Sequence, residues 1–344
     1  MNLQPVFDRY LPPLEKALRD ALPVPRSELK PYYGMMHYHM GWVDESLEPF
    51  SGSGGKRLRP LLCLLVTEAV GGSMGHAMPA AVALELLHNF SLVHDDIEDN
   101  SDTRRGRPAL WKIWGIPQAI NVGDGLFAAT RVVMSQLAKK GVRPLQVLEA
   151  IRAFDAACLA LTEGQFLDMS FEERTNVTLD EYQQMIRGKT AALISVSCRL
   201  GAIIGGASAE VIDHYARFGQ YLGLAFQIQD DWLGVWGEKS ITGKPVGDDI
   251  RERKKNYPIV YALEQFEASG DHRLSSLYRQ NKIDEPTVQA ILSLLQKVGA
   301  ETRTLEASRI FQKQALDALA DTGIENQAQA WLANLSQALV SRQA

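Results

Sequence analysis

Apolar residues recur at spacings of three and four along nearly the whole chain, and runs that alternate apolar with polar between turn residues are almost absent. That period belongs to helices packed through one face, so the chain is expected to form an all-α bundle. From Pro79 to Asn100 the stripe is Val82, Leu86, Phe90, Val93 and Ile97, which predicts a helix ending near Asn100. A second helix is predicted from about Ile212 to Trp236, with Gly237 as its stop and Gly219 and Gly223 as points of close helix approach. The segment FSLVHDDIED near the end of the first resembles AFQIQDDWLG near the end of the second, and two related helices facing each other are expected. Stretches richer in Gly, Pro or charge fall at 50–55, 71–75, 104–108, 171–178 and 239–245. None is long enough for a flexible linker, so residues 1–344 read as a single domain. The tail beyond Lys282, rich in Ala, Leu and Gln, reads as packing helices and suggests no chemistry.

Composition narrows the partners. With 344 residues, 46% of them hydrophobic, the chain can bury a large core. A formal charge of −5 argues against a nucleic-acid partner, because phosphate-backbone affinity needs an excess or a stripe of Lys and Arg. Any anionic ligand must be met by local basic clusters. Cys63, Cys158 and Cys198 are far apart and lack CxxC spacing, which suggests neither disulfides nor a zinc site and suits a reducing, cytoplasmic location. The first residues show no signal-peptide pattern, and no apolar run reaches the roughly 18–20 residues of a membrane span.

Two acidic clusters carry the candidate chemistry. Asp95, Asp96 and Asp99 form a DDxxD pattern, and on a helix Asp99 lies one turn beyond Asp95, about 40° around the axis, so the carboxylates are expected to converge. Such crowding is unfavourable unless a cation neutralises it, and hard oxygen ligands at this spacing suit Mg²⁺ shared with a substrate phosphate. An acidic run is commonly just a solvated helix face. Here the helix is apolar up to Asp95, which puts the acids at its mouth, with His88 and Ser91 on nearly the same face. Asp230 and Asp231 close the second apolar helix in the same way, and Gln227 shares their face. Two such clusters can clamp a polyanion through bridging metal ions and stabilise a departing diphosphate.

Complementary charge comes from three basic clusters, Lys56-Arg57-Leu58-Arg59, Arg104-Arg105-Gly106-Arg107 and Arg251-Glu252-Arg253-Lys254-Lys255. Arg supplies bidentate contacts to phosphate, Lys a mobile point charge, and adjacent glycines let backbone approach the anion. Lys189 and Thr190, following Gly188 at the start of a small-residue helix, are a further anion cradle. The segment YYGMMHYHMGW tempts a metal reading through His37 and His39, but an i, i+2 spacing points the rings to different sides of a helix, so it reads as aromatic and Met packing.

Taken together, GGKRLRP, HNFSLVHDDIEDNSDTRRGRP, GKTAAL, FQIQDDWLG and GKPVGDDIRERKK, in that order, resemble the polyprenyl diphosphate synthase family of trans-type head-to-tail prenyltransferases. The resemblance implies an isoprenoid-synthase helical bundle around a central cavity, usually a homodimer. It implies that Asp95, Asp96 and Asp99 bind Mg²⁺ on one side and Asp230 and Asp231 on the other. Lys56, Arg59, His88 and Arg105 would hold the diphosphate of isopentenyl diphosphate. Arg104, Lys189, Lys244 and Lys254 would hold that of the allylic substrate, while Thr190 and Gln227 would face the developing carbocation. Phe90 and Ser91, five and four positions before the first aspartate, would form part of the floor under the growing chain. An aromatic at the fifth position with a small residue at the fourth looks like the geranylgeranyl type, with farnesyl diphosphate as runner-up. One departure is that Gly234 stands where the second motif often carries its last aspartate, and Asp249 is a candidate substitute.

Other readings fit less well. A terpene cyclase of the same fold would have no use for GGKRLRP, which a second diphosphate substrate explains. A non-catalytic modulating subunit could lose its acidic clusters, whereas this chain keeps both. A helical protein that binds calcium at surface acids leaves the basic clusters unexplained.

Overall fold

Helices cover most of the chain in the computed structural model, which describes residues 3–340 apart from positions 51, 53, 173, 175, 239–244 and 281. The N-terminal part contains α1 (Gln4–Ala21), α2 (Lys30–His39), α3 (Leu58–Ala69) and α4 (Met74–Glu98). After a short hairpin come α5 (Leu110–Trp114), α6 (Ile116–Ser135), α7 (Pro144–Glu172), α8 (Leu179–Ile186), α9 (Ala192–Gly205) and α10 (Ala209–Trp236). The C-terminal part contains α11 (Asp248–Arg251), α12 (Tyr257–Ala268), α13 (Arg273–Tyr278), α14 (Glu285–Lys297), α15 (Ala300–Ala320) and α16 (Gln327–Val340). No helix among the described residues is long and apolar enough to cross a membrane. The three cysteines are free and buried.

The two expected helices are present, each starting earlier than the apolar stripe suggested because a serine caps it. Ser73 accepts from Gly75 N at the start of α4, and Ser208 accepts from Val211 N at the start of α10. Such caps satisfy backbone donors that the first turn leaves unpaired. Helix α10 stops at Gly237 as expected. Helix α4 is not a one-sided stripe: Ala80 to Leu87 are all buried, because α3, α6 and α9 pack around it. A helix buried on all sides accommodates its one charge in that stretch, Glu85, by pairing it with the equally buried Arg57 at 2.7 Å.

Close approach is built from glycine. A Cβ on Gly219 would lie 2.7 Å from Ile194 O, and one on Gly223 would lie 2.6 Å from Ala191 Cα, so α10 presses against the start of α9. Helices α4 and α10 do face each other, but across a cavity whose opposite walls they form. The break at 104–108 is a hairpin in which Thr103–Arg104 pair with Arg107–Pro108. Its two turn residues, Arg105 (φ 54°) and Gly106 (φ 74°), are both left-handed, the conformation a tight two-residue hairpin requires.

Candidate active site

The cavity between α3, α4, α7 and α10 has a volume of about 730 Å³. Asp95 and Glu98 line it from α4, and Asp230 lines it from α10. The first aspartates do not all converge, which corrects the expectation from their spacing. Asp96 is 1% exposed and turns away from the cavity, where Arg104 Nε donates to its Oδ1 at 2.8 Å. The hairpin causes this by folding Arg104 back against α4. Asp99 caps the helix on the exposed rim. Asp231 is also withdrawn, accepting from Tyr182 Oη, from Tyr257 N at 2.8 Å and from Gln227 Nε2 at 2.8 Å. Among the described residues no three His, Cys, Asp or Glu side chains lie close enough to hold a metal by themselves. Metal between the two walls therefore needs ligand oxygens in addition to Asp95 and Asp230, and the hard carboxylate donors present fit Mg²⁺ on those terms. Burial, opposed by Lys189 and reinforced by Asp99 and Glu98, raises the Asp95 carboxyl to about 6.

Cations line the same cavity. Lys56, Arg59, Arg104, Arg105 and Lys189 all face it. Arg59 is enclosed, and its Nε finds no partner among the described residues. Burial lowers its pKa, partly offset by Glu85 and Asp230. Arg57, between the two, is instead consumed by structure, with Glu15 at 2.6 Å and Glu85 at 2.7 Å. His88 also lines the cavity, and burial together with Arg59 and Arg105 holds its imidazole well below the ordinary range, so it is neutral. Lys254 is not among the residues lining the cavity; it lies 3.0 Å from Glu252 and 4.0 Å from Asp249 and acts electrostatically on Asp99. Lys244 lies outside the described residues.

Lys189 and Thr190 reach the cavity through a π-helical turn, Arg187–Ala191. Gly188 lets this turn press on α7: a Cβ there would lie 2.6 Å from Ala160 O. The contact brings Lys189 to Asp168, which pairs with its ammonium. Burial disfavours that ammonium, yet Asp168 and Asp95 outweigh it and raise its pKa. Thr190 Oγ1 donates to Gln227 Oε1 at 2.6 Å, and Gln227 donates onward to Asp231, so one chain of hydrogen bonds fixes both polar groups. Part of the lining is apolar: Phe90 faces the cavity, with its ring 4.9 Å from that of Phe127 and 4.8 Å from that of His94. Ser91 lines it too, its hydroxyl turned back to His88 O.

Sequence reasoning missed Asp168, Tyr182, Gln165 and Phe127. Asp168 sits in a helix whose acids show no pattern, and only its meeting with Lys189 marks it. Gln165, which donates to Glu98 at 2.7 Å, is similarly anonymous in sequence. His37 and His39 behave as packing residues: His37 Nε2 lies 2.9 Å from Leu22 O, and His39 is buried.

Residues 40–295 match the polyprenyl synthetase family. The chain is 36% identical over 313 residues to a (2E,6E)-farnesyl diphosphate synthase of Mycobacterium tuberculosis, covering 90% of this chain and 86% of that one. It is 41% identical over 270 residues to a geranylgeranyl diphosphate synthase of the same organism, covering 77% and 76%. Among solved structures, a polyprenyl synthetase from Streptomyces coelicolor superposes with TM-score 0.89 at 33% identity, covering 98% of this chain and all of that one. A geranylgeranyl pyrophosphate synthase from Corynebacterium glutamicum, complexed with isoprenyl diphosphate and magnesium, superposes with TM-score 0.83 at 25% identity over the full length of both. With this fold, this cavity and these relatives, the chain belongs to the polyprenyl synthetase family of trans-isoprenyl diphosphate synthases.

Proposed function

We propose that the protein condenses isopentenyl diphosphate with an allylic diphosphate, giving geranylgeranyl diphosphate as its main product. The observation that carries this reading is the mixed lining of one cavity, with the charged Lys56, Arg59, Asp95, Lys189 and Asp230 and the apolar Phe90, Leu161 and Leu193 facing the same space. Two charged substrate heads and one growing apolar tail would fit that lining. Lys56, Arg59 and Arg105 are positioned for the head that does not ionise, with neutral His88 as a hydrogen-bonding partner. Lys189, pre-aligned by Asp168, is positioned for the head that leaves, with Arg104 beside it and Lys254 acting through Asp99.

Mg²⁺ held by Asp95 and Asp230, with Asp99 at the rim, would supply positive charge against the diphosphate leaving group. The allylic C–O bond breaks with its electron pair departing on diphosphate, and Lys189 stabilises the charge that develops there. Thr190 and Gln227 present oxygens, fixed through Asp231, to the allylic cation. The double bond of isopentenyl diphosphate attacks that cation, and the released diphosphate takes the proton lost in forming the new alkene. No protein nucleophile is required, and the Ser91 hydroxyl in the cavity donates to the His88 carbonyl, not to an imidazole.

A homodimer is part of this reading, and α6 and α7 leave Ile120, Val132 and Leu159 exposed, apolar side chains of the kind that partners cover. Light scattering of the eluted protein tests it. The activity is tested by supplying isopentenyl diphosphate with dimethylallyl, geranyl or farnesyl diphosphate and sizing the products. Twenty-carbon product is expected; a fifteen-carbon end product would make it a farnesyl diphosphate synthase. Ionisation of the allylic substrate without incorporation would favour a cyclase, and no turnover of either would favour a modulating subunit.

A further inference from the structure

A second cavity, of about 190 Å³, opens where the end of α7, the loop after α11 and helix α13 meet. It is lined by four cations, Arg174, Arg253, Lys255 and Arg279, and by a single acid, Glu172. Arg174 is engaged by Glu181 at 2.7 Å. The side chains of Arg253, Lys255 and Arg279 have no acidic partner within ion-pair distance among the described residues. Tyr278 closes the cavity. It is only 5% exposed, yet its hydroxyl has no hydrogen-bond partner among the described residues.

Each of these features is unfavourable by itself. A buried hydroxyl without a partner is uncommon in folded proteins, and three cations around one small space repel one another unless an anion lies among them. Burial, followed by Arg253, already holds the Lys255 ammonium below its usual range, and that ammonium lies 5.1 Å from the centre of the Tyr278 ring. One ligand class would relieve all of this, a small anion with several acceptor oxygens. We propose that this cavity binds inorganic phosphate or diphosphate, held by Arg253, Lys255 and Arg279, with Tyr278 Oη donating to it. Its volume and charge exclude a prenyl chain. Glu172 marks how near the cavity lies to the aspartate rim, because its carboxyl is raised by burial and then by Asp99 and Asp168. None of the four binding groups belongs to the set placed in the main cavity, so the inference stands apart from the catalytic reading.

The test is calorimetric titration of the full chain with sodium diphosphate, and separately with sodium phosphate, with EDTA present to remove divalent ions. Binding by the unaltered protein is expected. The combined Arg253→Ser and Lys255→Ser variant should weaken it by about tenfold or more, as loss of charged hydrogen bonds does. Tyr278→Phe, which keeps the ring, and the exposed Arg279→Gln should each weaken it several-fold even if the combined variant folds poorly. Lys189→Ala, in the main cavity, should leave this binding in place. No binding at millimolar anion would overturn the proposal. So would affinity within about twofold of the parent in Tyr278→Phe, Arg279→Gln and the combined variant, or binding abolished by Lys189→Ala alone.

Discussion

Gly234 of α10 abuts the carboxylate of Asp249, so closely that a Cβ at 234 would overlap the Asp249 carboxyl group. Asp249 Oδ2 also accepts from Asn256 Nδ2 at 3.1 Å. The missing side chain at Gly234 leaves the room that the Asp249 carboxylate of α11 occupies.

Restoring the motif should therefore harm the protein. Gly234→Asp is expected to destabilise it by roughly 1–3 kcal/mol, as overpacking and two facing carboxylates both act against the fold. Asp249→Ala in the same chain should recover much of that loss. Melting temperatures of the two single variants and the double variant check this, and an undisturbed Gly234→Asp protein would refute this close packing.

The aspartates that line the main cavity should dominate turnover. Asp95→Ala or Asp230→Ala is expected to lower it by several orders of magnitude with the helical fold retained, since each ~1.4 kcal/mol of lost barrier-lowering costs about tenfold. Asp96→Asn should behave differently, because Asp96 holds Arg104 and turns away from the cavity; its cost should appear in stability as well as rate. Steady-state rates at saturating magnesium beside circular dichroism melts distinguish the two. Near-normal turnover in Asp95→Ala would remove the proposed mechanism.

Asp95 also predicts a pH dependence. Burial raises its carboxyl to about 6, above the ordinary aspartate value of 3.8, so the folded state keeps this proton to higher pH than the unfolded state does. The metal-free protein should thus lose stability on this account as pH rises from about 4 to about 6, and Asp95→Asn should lack that component. The difference between the two melting profiles is the measurement. A cation bound at Asp95 favours the charged carboxylate, so added metal should shift this component to lower pH.

Substrate assignment can be read from Michaelis constants. Lys56→Ala and Arg59→Ala should raise KM for isopentenyl diphosphate more than for the allylic substrate. Lys189→Ala should lower turnover and weaken the allylic substrate. An equal effect of Arg59→Ala on both substrates would reverse the placement.

Chain length tests the apolar lining. Phe90 lines the cavity and also touches Phe127, so its ring is half wall and half core. Phe90→Ala should shift products to longer chains at a stability cost below the roughly 3–5 kcal/mol of a fully buried Phe, and Phe127→Ala should extend them further. Ser91→Phe should shorten them. Product sizing with parallel melts decides, and an unchanged product in Phe90→Ala would end its assignment to the floor.

The parts of this site legible in the sequence are those that a single helix orders. Asp95 and His88, or Gln227 and Asp230, lie within two turns of one another, and helical period alone puts them on one side. Contacts between elements were not legible. Arg57 and Glu85 are 28 positions apart, and nothing in GGKRLRP distinguishes the arginine that enters the core from the one that enters the cavity. Asp96 looked like its neighbours until the hairpin at Arg105 and Gly106 returned Arg104 to it. Period likewise reports that a helix has an apolar face, but not that the remaining faces of α4 are also covered.

The turn at Arg187–Ala191 has a further effect on how the chain can be changed. Consecutive side chains on a regular α-helix diverge by about 100°. Lys189 and Thr190 both line the cavity from a π turn, which takes one residue more than an α turn and opens the spiral locally. The clasp they form depends on the count of residues as well as on their identity. Shortening the segment by one would let the helix close into regular geometry with every functional side chain still encoded, and the pair would be turned relative to α7 and the cavity.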